Sequence, residues 1–202
     1  MSILTDAVKK LEDKIAGSGC DHGTVSFKKT SGSKICPYVK GECIAVAYGG
    51  KNCEMVTSHP LEVATKISFM YGKPLNTSVQ RTAACAIINV LSNFMCFTRI
   101  AGACDESSHE DCLNELKIEI GGSKVYLNGN LAGLSEKIKE SVVENPDDAD
   151  IIIVSGDGLF EDDKLAVTEK YRDSKRLIFT GPATVGVCIM ENLEHWCPYG
   201  KK

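Results

Sequence analysis

The sequence has no run of basic residues, and this absence excludes one large class of function. In a chain of 202 residues the formal net charge is −4, and lysine and arginine are scattered. Proteins that bind nucleic acid need clustered positive charge to neutralise phosphates, so we predict no nucleic-acid partner. Low-complexity tracts are also absent, and a hydrophobic fraction of 43% is enough to build a packed core.

The sequence shows the expected pattern of neither a secretory leader nor a membrane span. Residues 2–17 show the spacing of an amphipathic helix, without the continuous apolar stretch of a signal peptide. The most apolar segment, 83–97, is short for a membrane helix and is broken by Asn89, Ser92 and Asn93. We therefore expect a cytoplasmic protein with no membrane partner, in which structural disulfides are uncommon.

Four sequence motifs that would point to a particular chemistry do not occur. There is no G-x-G-x-x-G fingerprint and no P-loop, so no motif supports a nucleotide cofactor. Ser155 lacks the preceding glycine of the G-x-S-x-G hydrolase turn. The C-x-x-C pair, the strongest signal for a zinc or iron–sulfur site, is absent too.

Cysteine itself is abundant, with ten residues, and two of them open the same tripeptide, Cys36-Pro37-Tyr38 and Cys197-Pro198-Tyr199. Proline fixes the backbone after the thiol, which suits a ligand loop and equally a tight turn. In a reducing compartment such cysteines indicate metal binding, redox chemistry or core packing. We predict a metal or iron–sulfur site formed by Cys36, Cys43, Cys53 and Cys197, although Cys43 and Cys53 could equally pack within strands.

The remaining cysteines have simpler explanations. Cys85, Cys96 and Cys188 lie in apolar helical stretches and are expected to be small core residues. Cys104 and Cys112 form a looser pair, either as ligands or as exposed loop thiols.

The N-terminal part of the chain mixes short strands and helices. Strands are predicted at 25–28, 43–48 and 53–57. A helix is predicted from Pro60 to Gly72, and a buried helix then starts at Thr77, which forms a capping box with Gln80. We divide the chain into a smaller α+β part over 1–75, a buried linking helix with a cysteine-containing loop over 76–114, and an α/β part over 115–202.

The C-terminal part alternates strands and helices. Strand-like runs are predicted at 116–120, 124–127, 151–154 and 176–179. The continuous apolar run 151–154 is typical of a strand covered on both faces of a parallel sheet. The pattern predicts an α/β fold with a Rossmann-like open parallel sheet.

Ligands of such sheets bind beyond the carboxyl ends of the strands, where the strand order reverses. Here those ends are glycine-bearing loops, and a helix starting near Thr184 would offer N–H groups to an anion. The same glycines would also serve simply to turn a strand into a helix. The predicted ligand-binding residues are Gly129, Ser155, Gly156, Asp157, Gly181 and Thr184.

Three segments resemble a known family. They are RTAACAIIN at 81–89, ADIIIVSGDGL at 149–159 and RLIFTGPAT at 176–184. They are similar to the domain-of-unknown-function family described as heavy-metal chelation proteins. The resemblance implies an enolase-N-terminal-like α+β segment packed on a Rossmann-like domain, of a type found mostly in prokaryotes, including anaerobic archaea. It supplies no catalytic residues and does not account for the cysteine-rich segments 20–53 and 96–112.

Two classes of function therefore remain open. The first is a protein that binds a metal ion or iron–sulfur cluster through thiolates. The second is an enzyme or binding module for a small anionic metabolite at the glycine loops. There Asp157 would act as a general base or bind a hydroxyl, and Cys36 or Cys197 would be a nucleophile if a helix end or a cation lowers its pKa. We place metal binding first, and leave open enzymatic activity, a plain scaffold role and homo-oligomer formation.

Overall fold

The fold is described from a computed structural model over residues 2–30 and 36–201. Its helices are α1 (Ile3–Ile15), α2 (Ser78–Phe94), α3 (His109–Ile120), α4 (Ala132–Lys137), α5 (Asp157–Phe160), α6 (Asp162–Tyr171) and α7 (Val185–Glu191). Its strands are β1 (Thr24–Thr30), β2 (Glu42–Tyr48), β3 (Lys51–Thr57), β4 (Val63–Lys66), β5 (Val125–Asn128), β6 (Ile151–Val154), β7 (Arg176–Thr180) and β8 (His195–Trp196).

The first four strands form an antiparallel sheet in the order β3-β2-β1-β4. The helix predicted over 60–72 is wrong, because β4 pairs with β1 and a 3-10 turn, Ile67–Met70, follows it. The β-branched Val63 and Thr65 suit an edge strand, and pairing with β1 outweighs the helical spacing of the apolar residues.

Helix α2 is the centre of the molecule. The predicted capping box is present, since Thr77 Oγ1 accepts from Gln80 N–H and Gln80 Oε1 accepts from Thr77 N–H, both at 3.2 Å. Residues 81–93 are all buried, and the helix contacts α1, β2, β3, α5 and α7. One apolar core thus runs from the antiparallel sheet through α2 to the second sheet.

The second sheet is parallel, in the order β5-β6-β7-β8. Ile152, Val154 and Phe179 pack in the core that contains α2, whereas Ile153 and Ile178 pack on the opposite face with residues of α3 and α4. The predicted α/β class, with a parallel sheet in the C-terminal part, is confirmed. Strand order follows the chain, so the described sheet has no reversal of the kind expected to mark a ligand site.

Two details of this part differ from the prediction. The strand predicted at 116–120 is wrong, because these residues are the last part of α3, which is capped after Ile120 by Gly121 in the left-handed conformation (φ 56°). Strand β8 was not predicted, since two residues carry too little pattern. The domain boundaries proposed above stay a prediction. Within the described ranges, no helix is long and apolar enough to cross a membrane.

Candidate metal centre

Four thiols line one small cavity at the carboxyl end of the parallel sheet. They belong to Cys36, Cys104, Cys112 and Cys197. Thr180, the last residue of β7, and Trp196, the last of β8, complete the cavity at the sheet edge. The cavity volume is about 20 Å³, room for roughly one water molecule.

Each Cys-Pro-Tyr tripeptide forms a turn around its thiol. Val39 N–H donates to the Cys36 carbonyl at 3.2 Å, and Gly200 N–H donates to the Cys197 carbonyl at 3.1 Å. Burial raises the pKa of both thiols. The N–H groups of Tyr38 and Val39 oppose this effect at Cys36, and the N–H group of Gly200 opposes it at Cys197. In both turns the nearby backbone N–H groups therefore favour the thiolate form.

Helix α3 is bonded to both turns and carries the third thiol. The Tyr38 hydroxyl donates to the His109 carbonyl at 2.6 Å, and the Tyr199 hydroxyl donates to the Glu115 carboxylate. Cys112 lies in the first turn of this helix. The two tyrosines of the repeated tripeptide thus fix both turns to the element that supplies Cys112.

The fourth thiol, Cys104, lies in the loop before α3, beside the C-terminal tail. Ala101 N–H donates to the Lys201 carbonyl at 2.6 Å, and Lys201 N–H donates to the Gly102 carbonyl at 3.0 Å. This backbone pairing holds the segment that bears Cys197 against the loop that bears Cys104.

Burial dominates the electrostatics of the thiols. Together with a smaller contribution from the neighbouring thiols, it raises the pKa of Cys36 to about 11 and that of Cys197 to about 12. Burial also raises the pKa of Cys104 and Cys112. None of the four is therefore an activated nucleophile at neutral pH, because that role needs a lowered pKa.

Trp196 adds a side-chain donor to this site. Among the described residues its buried Nε1–H has no partner at hydrogen-bond geometry. Burial raises the pKa of Cys112, whereas the indole N–H of Trp196, which lines the same cavity, lowers it. A buried N–H without an acceptor is costly, and a thiolate at Cys112 would accept from it.

The other two predicted ligands lie elsewhere. Cys53 is opposite Val46 in the β2–β3 pair, and both side chains are in the core under α2. Cys43 precedes Ile44, which is in the same core, so Cys43 points to the other face of the sheet. It lines a second cavity, shared with Cys36. The structure does not bring the four predicted cysteines together.

Of the cysteines expected in the core, two are there and one is not. Cys85 and Cys188 are buried, and the Cys85 thiol donates to the Ala183 carbonyl at 3.1 Å. The prediction for Cys96 is wrong: α2 ends at Phe94, and Cys96 is exposed with φ 59°.

The four thiols line one cavity, but their positions in the structure do not have metal-binding geometry. In residues 2–30 and 36–201, no group of three or more His, Cys, Asp or Glu side chains has metal-binding geometry. Cys36, Cys104 and Cys197 all lie outside helices and strands. Side-chain rotation and small loop shifts are therefore the movements by which the thiols would reach a common centre.

The predicted ligand-binding residues take part in internal contacts. Asp157 accepts hydrogen bonds from Ser58 N–H at 3.1 Å and from Ser58 Oγ at 2.5 Å. The buried Ser155 Oγ, which has no partner among the described residues, packs against Gly129, where a Cβ would overlap it. Gly129 is thus required for packing.

The N-terminus of α7 also makes hydrogen bonds within the protein. Gly186 N–H donates to Asn89 Oδ1 at 2.8 Å, and Asn89 Nδ2 donates to the Ala183 carbonyl at 2.9 Å. The Thr184 hydroxyl donates to the Gly181 carbonyl at 3.2 Å. Helix α2, through Asn89, therefore occupies the position in which an anion was expected.

Gly156 and Gly181 line the second cavity, together with Cys36 and Cys43. Its volume is also about 20 Å³, so it has room for one water rather than for a metabolite.

Comparison with known proteins gives little further information. No protein-family model matches the chain, and no curated protein matches it. Among solved structures, the chain is similar to a protein of unknown function from the DUF364 family of Pyrococcus horikoshii. The two share 17% sequence identity with a TM-score of 0.49, over 90% of this chain and 79% of that chain. A likeness at this level carries no argument about function.

Proposed function

We propose that this protein binds a metal ion through the thiolates of Cys36, Cys104, Cys112 and Cys197. One observation carries the proposal: four thiols from separate segments line a single cavity of about 20 Å³. All four are free thiols. Two of the four, Cys36 and Cys197, open turns of the same sequence and the same backbone hydrogen bond, which supports a shared role.

The proposal keeps two of the ligands predicted from the sequence. Cys36 and Cys197 remain, and Cys104 and Cys112 take the places of Cys43 and Cys53. Thiolates favour soft and borderline ions. This preference agrees with the heavy-metal chelation described for the family that the sequence resembles.

Metal analysis of untagged protein purified without oxygen tests the proposal. We expect stoichiometric metal in the wild-type protein, and its loss in Cys36→Ser and in Cys197→Ser. The matched controls are Cys96→Ser, which changes an exposed thiol, and Cys43→Ser, which changes a thiol of the original prediction. Folded wild-type protein that is metal-free and takes up no added zinc, iron or copper would overturn the proposal.

The metabolite alternative has less support, because Asp157 and the start of α7 are already bonded within the protein. Phosphate titration monitored by thermal unfolding distinguishes the two functions. A rise in melting temperature that Thr184→Val abolishes, in protein that binds no metal, would favour the metabolite site.

A further inference from the structure

We propose, on the basis of this metal-binding function, that the four thiols hold a single divalent ion of the zinc class rather than an iron–sulfur cluster. All four positions around the ion are then protein sulfurs, and the site is a closed, structural one.

The size of the cavity favours one ion. Its volume of about 20 Å³ corresponds to roughly one water molecule. A [4Fe–4S] core would place eight atoms there. The walls around the thiol-bearing loops are fixed, because Leu116 of α3 and Leu134 of α4 are buried in the core and the Pro182 carbonyl accepts from Asn89. Movement is therefore left to the loops that bear Cys36, Cys104 and Cys197.

The donor set favours a borderline ion. In the described part of the chain, no carboxylate or imidazole contributes to the cavity lining, whose other polar side chains are hydroxyls and the indole of Trp196. Magnesium and calcium need oxygen ligands and are excluded, whereas four thiolates suit zinc.

The charge of such a site is compensated by N–H donors. One divalent ion and four thiols give a complex of charge −2 and four released protons, so that M²⁺ + 4 RSH → [M(SR)₄]²⁻ + 4 H⁺. One such donor is the buried indole N–H of Trp196, which lines the cavity and has no partner among the described residues. Hydrogen bonds to metal-bound sulfur stabilise the anionic complex.

Cobalt(II) titration of the reduced, metal-free full-length protein tests the inference. We expect the visible spectrum of tetrahedral cobalt thiolate to saturate at one ion per chain, quenching of the single tryptophan, and displacement of cobalt by zinc. Calorimetry in buffers of different ionisation enthalpy should show release of about four protons per ion, because the thiols are protonated at neutral pH.

Two variants make the test specific. Cys112→Ser should lose the four-sulfur spectrum, whereas the exposed-thiol control Cys96→Ser should keep it. Trp196→Phe retains the ring but removes the N–H, and should weaken cobalt binding about 10-fold without changing the stoichiometry. This second variant keeps the test decisive if Cys112→Ser does not fold.

The failure of this inference is distinguishable from failure of the proposed function. Several irons with matching acid-labile sulfide per chain, lost in Cys197→Ser, would overturn the single-ion site and retain metal binding. Two or more cobalt ions per chain would also overturn it. No uptake of any metal would overturn both.

Discussion

Cys36 and Cys197 line the same cavity, although they open Cys-Pro-Tyr turns near opposite ends of the chain. Each turn closes with an N–H from the residue three positions on, and each tyrosine bonds α3. The repeated tripeptide therefore encodes a repeated local geometry, and the fold places its two copies around one point.

Gly133→Ala should weaken metal binding without removing a ligand. A Cβ at Gly133 would overlap the Pro37 carbonyl oxygen, so the first turn has to shift away from α4. We expect metal affinity to fall about 10-fold, the loss typical of a disturbed outer shell, as measured by competition with a chromogenic chelator.

The control for this change is Gly102→Ala. Gly102 also lies close to the site, but a Cβ there would approach Glu54 no closer than 3.8 Å, an ordinary contact. The metal affinity of the Gly102→Ala variant should stay within about twofold of that of the wild type. Equal affinities for Gly133→Ala and the wild type would show that the Cys36 turn does not set the ligand position.

Local signals in the sequence predicted much of the fold but only half of the candidate site. The capping box at Thr77 and the apolar run 151–154 are local patterns, and both elements formed as expected. Cys104 and Cys112 were missed as partners of Cys36 because their proximity depends on α3 and on the pairing of Ala101 with Lys201. The periodicity of a single sequence carries no signal for such pairing.

Tyr38→Phe should loosen the link between the first turn and α3. It removes the hydrogen bond to the His109 carbonyl, at 2.6 Å, while keeping the ring. We expect a loss of about 1 kcal/mol in the free energy of unfolding, measured with urea. Tyr199→Phe is the matched change on the second turn and should cost less, because its bond to Glu115 is exposed. Equal losses would contradict this ranking.

Arg81→Ala should destabilise the centre of the molecule strongly. The guanidinium is buried and donates to the Phe160 carbonyl at 2.6 Å and to the Leu75 carbonyl at 3.0 Å. Removing it leaves two buried acceptors unpaired, so we expect a loss of about 2–5 kcal/mol in urea unfolding. Asp162→Ala removes only the exposed partner of Arg81 and should cost less than about 1 kcal/mol. A small effect of Arg81→Ala would mean that water replaces the lost donors.

The stability of the metal-free protein should fall at alkaline pH. Burial raises the pKa of Cys36 to about 11, and those of Cys53 and Cys197 to about 12, from an ordinary value of 9.0. Above pH 9 the unfolded chain therefore holds fewer protons than the folded one, and the free energy of unfolding decreases with pH up to about 12. Below pH 8 these thiols are protonated in both states and add no slope.

With zinc bound, the stability that the site thiols contribute should rise with pH, the opposite of the trend in the metal-free protein. Binding removes their protons, so the affinity rises with pH, and the difference in stability between loaded and metal-free protein should widen from pH 7 to pH 9. Urea unfolding under reducing conditions, with and without one equivalent of zinc, measures this difference. The double variant Cys36→Ser/Cys197→Ser should show a smaller alkaline slope and no zinc effect, whereas Cys53→Ala should reduce the slope and keep the zinc effect. A zinc effect that is independent of pH would mean that the bound ligands are not these buried thiols.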